Sequence, residues 1–347
     1  MNKSNKKTAK IWVLVDDATG NANQAIALAK ALNLPYECQK LQYNNFAKLP
    51  NQLLSLWPLH VKKSCLDMIC AKEMPDMVIS SGRRPAAFAT YLRHKSKFKT
   101  KIIQIMKPLI NSDEFALIVL PQHDKFNQIL PNIVRITGAL TNIASELTTI
   151  KQDFSKQHPK LKEFIAVVIG GSSKKYEFTL DNGKLLLEII TKIQQNQPLP
   201  LFITFSRRTP IKIKELFKDN LKAPHIIYDP SDDKDVQNMV NPYPGIIAMA
   251  KYIITTTDSI SMCSEAASTG NPIYVFCPEN FNLRKHKFFI KQLVENETVK
   301  RLETTTDHLE AYEYTPLREV DKIAKIIKEK IINANQRIRN LGDSSIK

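Results

Sequence analysis

The chain has 347 residues, enough for about two domains, and its 43% apolar and 24% charged residues are typical of a globular protein. This composition excludes collagen-like repeats and low-complexity disorder, and 5 cysteines without C-x-x-C spacing exclude a disulfide scaffold. The net charge is +16, and residues 1–160, with 23 Lys or Arg against 11 Asp or Glu, carry +12 of it, which favours anionic partners.

Short apolar runs alternate with helical stretches through the first half of the chain. The predicted strands are Ile11–Val15, Tyr36–Leu41, Met77–Ser80, Ile102–Met106, Phe115–Leu120 and Asn132–Ile136. The predicted helices are Ala22–Leu32, with Asn21 as its cap, and Pro85–Arg93. A polar helical segment from about Leu140 to Lys160 then connects this half to the next.

The second half repeats the alternation. Its predicted strands are Phe164–Ile169, Pro200–Thr204, His225–Tyr228, Tyr252–Thr255 and Pro272–Phe276, and its predicted helices are Leu180–Ile193, Ser259–Thr269 and Val320–Ile332. Such alternation is typical of α/β domains with parallel sheets. We therefore expect two Rossmann-like, doubly wound domains that face a cleft, over residues 1–150 and 160–316, followed by a C-terminal helix and tail over 317–347.

Polar turns follow several of these strands, where open α/β sheets bind their ligands. The turn Gly170-Gly171-Ser172 indicates either phosphate binding or a simple tight turn, and it fits neither the P-loop nor the G-x-G-x-x-G pattern. The turn Ser206-Arg207-Arg208-Thr209 offers two guanidinium groups to a phosphate or carboxylate; a surface ion pair is the alternative.

The segment Thr257-Asp258-Ser259 precedes a helix in which Ser259, Met262 and Glu265 share one face. Asp258 or Ser259 can cap this helix, and the Glu265 carboxylate can accept two hydrogen bonds from a ribose diol. The alternative for Glu265 is a solvated helix position, which its apolar neighbours disfavour.

The first half carries a comparable set of polar turns. The turn Ser81-Gly82-Arg83-Arg84 repeats the arginine pair. Asp17, with Gly20, Asn21 and Gln24, can position a hydroxyl group, or it forms only a turn and a cap. His123 and Asp124 are candidates for a general base and its orienting partner, although a structural role is equally compatible. The scattered histidines indicate no metal site.

Two segments suggest contact with an anionic membrane. Met77–Ser112 carries eight Lys or Arg and no carboxylate, and Leu49–Val61 is apolar with Trp57 and a basic flank. A solvated basic face and a buried core segment are the respective alternatives. No apolar run is long enough to span a bilayer, and Met1–Lys10 lacks a signal-peptide core, so we expect a cytoplasmic protein, peripheral on the inner membrane. No nucleic-acid-binding motif is present, and we expect no nucleic-acid partner.

Together these motifs resemble the mitochondrial-fission "elongated mitochondria" family of plants and its bacterial relatives. The resemblance covers nearly the whole chain, in the segments Trp12–Gln24, Pro75–Ala87, Pro121–Asp124, Gly170–Ser172, Thr204–Pro210, Asn241–Tyr243 and Thr257–Gly270. The family is similar to GT-B glycosyltransferases, so the resemblance implies two Rossmann-like domains. It is also labelled as a nucleoside-diphosphate-sugar epimerase, which the missing G-x-G-x-x-G after the first strand disfavours.

The resemblance implies a role for each matched segment. Gly170, Gly171 and Ser172 match a diphosphate-binding turn, Glu265 matches the acid that holds the ribose, and Arg207 and Arg208 would neutralise the diphosphate in place of a metal. Asn241 and Tyr243 join the predicted binding residues, and the first domain would take the acceptor.

The leading hypothesis is a metal-independent glycosyltransferase, or nucleotide-sugar-binding protein, without a tightly bound cofactor. A nucleotide-diphosphate sugar would be its donor and an envelope glycan or lipid-linked molecule its acceptor. The alternative is a non-catalytic, membrane-associated scaffold, like the plant fission factor.

Overall fold

The computed structural model describes residues 9–126, 128–222, 224–232 and 240–332. The chain forms two compact units, Met1–Asn142 together with Arg318–Lys347, and Ile143–Leu317. Most of the predicted polar start and all of the predicted tail after residue 332 lie outside the described residues. No helix in the described ranges combines the length and apolar character needed to cross a membrane.

The first unit is built on a parallel six-stranded sheet. Its strands are β1 (Ile11–Val15), β2 (Tyr36–Lys40), β3 (Met77–Ser81), β4 (Lys101–Ile105), β5 (Leu117–Pro121) and β6 (Ile133–Ile136), in the order β2-β1-β3-β4-β5-β6. Ile11 lies opposite Tyr36 on one side and Met77 on the other. The order therefore reverses between β1 and β3, which makes this the switch point of the sheet.

Helices cover this sheet where the chain crosses from strand to strand. They are α1 (Thr19–Leu32), α2 (Asn51–Leu56), α3 (Lys63–Cys70) and α4 (Arg83–Lys95). The sequence predicts Asn21 as a cap, but α1 begins at Thr19, so Asn21 lies inside its first turn. The short helices α2 and α3 were not predicted, because a run of six to eight residues shows too little periodicity.

The second unit contains the second parallel six-stranded sheet. Its strands are β7 (Ile165–Ile169), β8 (Leu201–Phe205), β9 (His225–Tyr228), β10 (Tyr252–Thr256), β11 (Ile273–Phe276) and β12 (Lys300–Arg301), in the order β12-β11-β10-β7-β8-β9. Every residue of β7, β8, β10 and β11 is buried, as expected for central strands covered on both faces. The strand order reverses between β7 and β10.

Helices also flank the second sheet. They are α5 (Ile143–Gln157), α6 (Leu180–Asn196), α7 (Ile211–Asn220), α8 (Tyr243–Met249), α9 (Ile260–Ala267) and α10 (Arg284–Glu295). A last helix, α11 (Glu319–Ile327), returns to the first unit, where Val320, Ile323 and Ile327 join the core that includes Leu28 and Leu32 of α1. The predicted α/β class with two Rossmann-like parallel sheets is confirmed.

Candidate functional site

The switch point of the second sheet brings two of the predicted polar turns together. Gly170 and Gly171 follow β7, and Thr257 and Asp258 follow the neighbouring strand β10. Because a switch point opens a crevice at the carboxyl ends of the strands, this is where a doubly wound sheet binds a ligand. The contacts of Asp258 determine which hydrogen-bonding groups in that crevice can reach a ligand.

The carboxylate of Asp258 is the centre of a buried hydrogen-bond network. It accepts from the Gly171 N–H at 2.8 Å, from the Thr256 hydroxyl at 2.6 Å and from the Arg208 guanidinium at 3.2 Å. Only 2% of the Asp258 side chain is exposed. Such a carboxylate needs these donors because an unpaired buried charge costs several kcal/mol.

This network uses the amide groups of the glycine turn. The Gly170 N–H donates to the Thr256 hydroxyl at 2.8 Å, and the Ser172 N–H donates to the Arg208 carbonyl at 3.2 Å. A Cβ on Gly170 would lie 2.0 Å from Asp258 Oδ1, and one on Gly171 would lie 2.2 Å from the Arg208 carbonyl oxygen. Close packing therefore requires both glycines. A phosphate could reach their N–H groups only by displacing the Thr256 hydroxyl from Gly170 and the Asp258 carboxylate from Gly171.

The turn after β8 has two structural residues and two cationic ones. The Thr209 hydroxyl donates to the Gly170 carbonyl, and the Ser206 hydroxyl accepts from the Arg208 N–H at 3.1 Å. Arg207 is exposed, and the half-exposed Arg208 side chain spans from Asp258 to the Ser172 carbonyl. The Arg208 guanidinium thus reaches the crevice through its contact with Asp258.

Helix α9, which begins directly after Asp258 and Ser259, carries Glu265. Ser259 is the N-cap, with its hydroxyl accepting from the Met262 N–H at 3.3 Å, which confirms the predicted cap. Thr257 is buried, and its hydroxyl has no hydrogen-bond partner among the described residues. Met262 is half-buried on the same helix.

A tyrosine from another helix holds the Glu265 carboxylate. The Tyr243 hydroxyl, at the start of α8, donates to Glu265 Oε2 at 2.5 Å, and the Tyr243 N–H donates to the exposed Asn241 side chain at 3.2 Å. Burial raises the pKa of Glu265 to about 7 and also raises the pKa of Tyr243. Glu265 is therefore neither a solvated surface residue nor fully ionised at neutral pH.

A cavity of about 700 Å³ lies in the same unit and was not predicted. It is lined by Ser173, Lys174, Lys175, Asn282, Leu283, Arg284, Lys285 and His286. His286 forms a hydrogen bond with the backbone of Asp258, which links this cavity to the switch point. The signals in the sequence were the lysine pair after the Gly-Gly-Ser-Ser turn and the Arg-Lys-His-Lys run after β11.

The switch point of the first sheet is an ion-pair site. Arg84, after β3, contacts Asp16 at 3.1 Å and also pairs with Asp17, both of which follow β1. Its guanidinium lies 4.5 Å from the centre of the Tyr43 ring, which stacks on His60. Burial raises the pKa of Asp16 and Tyr43 and lowers that of His60 to about 4.

Other predicted residues of the first unit have structural contacts. Arg83 donates to the Leu49 carbonyl at 3.0 Å and to Asn51 at 3.1 Å. Gly82, at φ 85°, packs against the Asn21 side chain, where a Cβ would lie 2.5 Å from Nδ2. These contacts hold the loop over residues 47–51 to the start of α4.

Four further predicted residues also lie at or near this edge. Gln24 is buried and donates to the Gly20 carbonyl at 3.3 Å, and Ser81 is buried with no hydrogen-bond partner for its hydroxyl among the described residues. His123 and Asp124 follow β5 as buried residues, and the Asp124 carbonyl accepts from Arg135 at 3.0 Å. Strand β4 separates them from the β1/β3 switch point.

A second cavity, of about 670 Å³, opens at this switch point. Its lining includes Asp17, Tyr43, Lys48, Arg83 and Arg84, so Asp17 is the predicted catalytic residue that faces this space. No group of three or more His, Cys, Asp or Glu within the described ranges could hold a metal ion.

An exposed apolar surface lies beside this cavity. The half-exposed apolar side chains are Phe46, Leu53, Leu56, Trp57, Leu59 and Met68, whereas Leu54 and Val61 are buried. The Asn44 side chain donates to the Leu59 carbonyl at 2.7 Å, which fixes the cavity rim to this segment. The predicted apolar segment thus has one core face and one exposed face, and we call the exposed face the apolar surface.

The basic stretch Met77–Ser112 does not form one patch. Arg83 and Arg84 lie after β3, at the carboxyl edge of the sheet, whereas Lys95, Lys97, Lys99 and Lys101 line a cavity before β4, at the opposite edge. Arg93 pairs with Glu114 at 3.3 Å. The eight cations therefore cannot act as a single surface.

Comparison with solved structures defines the class of fold. A UDP-GlcNAc 2-epimerase from Neisseria meningitidis, bound to UDP-GlcNAc, matches with a TM-score of 0.54 at 15% identity, over 93% of this chain and all of that one. A UDP-GlcNAc 2-epimerase from Methanocaldococcus jannaschii matches with a TM-score of 0.54 at 14% identity, over 92% of this chain and 99% of that one. The chain therefore has a GT-B-like fold, with two parallel six-stranded sheets, like these epimerases.

Sequence comparison then gives the family. The model of the mitochondrial fission ELM1 family matches residues 19–331, and the chain belongs to that family. An uncharacterized protein of Rickettsia prowazekii is 44% identical, over 92% of this chain and 97% of that protein. The mitochondrial fission protein ELM1 of Arabidopsis thaliana is 25% identical, over 75% of this chain and 65% of that protein.

Proposed function

We propose that the second unit binds a nucleotide-diphosphate sugar at its β7/β10 switch point. The observation that carries the proposal is Glu265, a mostly buried carboxylate on α9 that is held by Tyr243 and has a pKa raised by burial to about 7. A carboxylate placed there can accept hydrogen bonds from both hydroxyls of a ribose. Residues with strongly shifted pKa values in a crevice are also concentrated at functional sites.

The diphosphate is assigned to the arginines rather than to the glycine turn. The Gly170, Gly171 and Ser172 N–H groups are all bonded within the fold. The arginine side chains reach solvent, since Arg207 is exposed and Arg208, which also contacts Asp258, is half-exposed. Guanidinium groups bind phosphate in a bidentate manner and would offset the charge of the leaving diphosphate without a metal. A structure of similar fold holds UDP-GlcNAc, which supports a nucleotide-diphosphate sugar as the ligand class.

The acceptor is assigned to the first unit. Its cavity of about 670 Å³ is lined by Asp17, Lys48 and Arg84, and the apolar surface continues from its rim. This combination suits an acceptor with a polar head and a lipid tail, on a protein that contacts an anionic membrane peripherally. Within the cavity, Asp17 is the candidate to take the proton from the acceptor hydroxyl; His123 and Asp124 are the weaker candidates for that role.

Calorimetric titration with a panel of nucleotides and nucleotide sugars tests this function. The wild-type chain should bind at least one nucleoside diphosphate, and Glu265→Gln should weaken that binding roughly ten-fold, the loss of about 1.4 kcal/mol. Arg207→Ala should weaken the diphosphate while leaving the bare nucleoside almost unaffected. Glu188→Gln, an exposed glutamate on α6, is the matched control and should bind like the wild type. Absence of binding across the panel would refute the proposal.

A non-catalytic scaffold is the second candidate, and one observation favours it. The glycine turn has no spare N–H group for a phosphate, because Asp258, Thr256 and Arg208 already accept from it. A scaffold should keep its partner binding after Glu265→Ala or Arg207→Ala. A transferase should lose activity with either change, so a single pair of variants separates the two functions.

A further inference from the structure

The cavity of about 700 Å³ in the second unit is lined by several cationic residues. Two cations, Lys174 and Lys175, come from the loop after β7, and two more, Arg284 and Lys285, come from the first turn of α10. None of the residues that line it is acidic. Its volume is within the range of cavities that hold small ligands, roughly 300–1,000 Å³.

These cations are available to a ligand. Over the described ranges, Lys174, Lys175 and Arg284 form no ion pair with a carboxylate. Three neighbouring cations without a counter-charge repel one another, and an anion in the cavity would relieve that repulsion. The lining of the cavity therefore favours a ligand that carries negative charge.

His286 adds a neutral polar group to the same wall. Its hydrogen bond to the Asp258 backbone uses Nε2, because Nδ1 is buried without a partner among the described residues. A carbonyl can only accept, so Nε2 carries the proton. Burial lowers the pKa of His286, so the imidazole on this wall carries no charge at neutral pH.

This basic cavity is separate from the groups assigned to the diphosphate. Arg207 and Arg208 follow β8, whereas the cavity cations follow β7 and β11. Because Arg208 and His286 both contact Asp258, the cavity adjoins the proposed diphosphate position. The next group along a nucleotide-diphosphate sugar is the sugar itself.

We infer that the donor is an acidic sugar, one whose ring carries a carboxylate that Lys174, Lys175 and Arg284 bind. This inference rests on the proposed function, since it names the substrate class of the same site. A neutral hexose would leave the three cations unpaired, whereas a hexuronate would fill the cavity and place its carboxylate among them.

Paired donors that differ only at C6 test the inference. Wild-type protein is titrated with UDP, UDP-glucose and UDP-glucuronate, and with GDP, GDP-mannose and GDP-mannuronate, at low and high salt. We expect the uronate to bind roughly ten-fold tighter than its neutral partner at low salt, about 1.4 kcal/mol, with a smaller ratio at high salt. Lys174→Gln/Lys175→Gln should bring the ratio close to one, and Lys184→Gln on the exposed side of α6 should leave it at ten.

The outcomes separate the two claims. If a nucleoside diphosphate binds but the uronate and the neutral sugar bind equally, the inference is wrong and the proposed function stands. If the double variant keeps the ten-fold ratio, the cavity is not the carboxylate site and the inference is also wrong. If neither UDP nor GDP nor any of their sugars binds, the proposed function fails and the inference fails with it.

Discussion

Glu265 and Tyr243, from different helices, form a buried hydrogen-bonded pair. Tyr243 begins α8 and Glu265 lies in α9, and the hydrogen bond between them is 2.5 Å long. Burial raises the pKa of Glu265 from 4.5 to about 7, while the bond from Tyr243 opposes that rise. The folded protein therefore retains a proton between pH 4.5 and 7 that the unfolded chain releases.

This retained proton makes stability depend on pH in a defined direction. Because the folded state binds more protons in this window, the free energy of unfolding should fall as pH rises from 4.5 to 7 and be level above it. Ionisation of Glu265 should lower the free energy of unfolding by about 3 kcal/mol between pH 4.5 and pH 7. Glu265→Gln should remove it, so that the variant gains stability over the wild type at pH 8 but not at pH 4.5, as measured by urea unfolding.

Glu188→Gln is the control for that measurement, since Glu188 is exposed on α6. Tyr243→Phe should move the pH window upward, because it removes the hydrogen bond that stabilises the ionised carboxylate. If Glu265→Gln unfolds with the same pH dependence as the wild type, the pKa of Glu265 is not raised in the folded protein.

The sequence predicts Glu265 and its cap Ser259 because helix periodicity and capping are local properties. It predicts neither the Tyr243 contact nor the role of Asp258 in closing the glycine turn. Those contacts join residues 22 and 87 positions apart, and only the strand order brings them together. The basic cavity was missed for the same reason, since one cation pair comes from the loop after β7 and the other from the start of α10, after β11.

At the level of elements, the end of α4 is under backbone strain. Lys97 and Phe98 have φ values of 54° and 64°, and their N–H groups donate to the His94 and Arg93 carbonyls at 2.9 Å. This is the left-handed ending that helices usually build with glycine. A lysine there costs about 1 kcal/mol relative to glycine.

Lys97→Gly should therefore raise the free energy of unfolding by about 1 kcal/mol, even though glycine usually destabilises a protein. Lys184→Gly inside α6 is the matched control and should lower it by about 1 kcal/mol. Urea unfolding of the two variants should therefore show opposite changes in the free energy of unfolding. Destabilisation by Lys97→Gly would mean that the lysine side chain makes stabilising contacts that outweigh the strain.

The order of elements follows from the sequence more fully than their boundaries. All strands but the two-residue β12 were predicted within about two residues, because buried parallel strands are continuous apolar runs with clear turns. The helices α2, α3, α7, α8 and α10 were missed. The packing of α11 on α1 was not predicted either, because it joins segments near the two ends of the chain.

At the scale of the whole molecule, the distribution of apolar surface predicts where a membrane would bind. Trp57 is 60% exposed on the apolar surface and Trp12 is fully buried, so a change in tryptophan emission would report on Trp57. Adding anionic vesicles should shift the emission to shorter wavelength, and salt should weaken the effect. Trp57→Gln should reduce binding in a co-sedimentation assay.

Lys95→Gln/Lys97→Gln/Lys99→Gln is the comparison variant, since it removes charge from the opposite edge of the sheet. It should bind vesicles like the wild type. Loss of binding in this triple variant, with Trp57→Gln unaffected, would place the membrane contact at the lysine edge instead.

The central claim is that the GT-B-like fold of this chain keeps a working ribose site at Glu265. The most direct test is the affinity for UDP as a function of pH, in the wild type and in Glu265→Gln. Because an ionised carboxylate accepts from the ribose hydroxyls more strongly, and its pKa is about 7, the wild-type affinity should rise roughly ten-fold from pH 6 to pH 8. Glu265→Gln should bind more weakly at pH 8 and show no such rise. Equal affinities and identical pH profiles in two folded proteins would contradict the account.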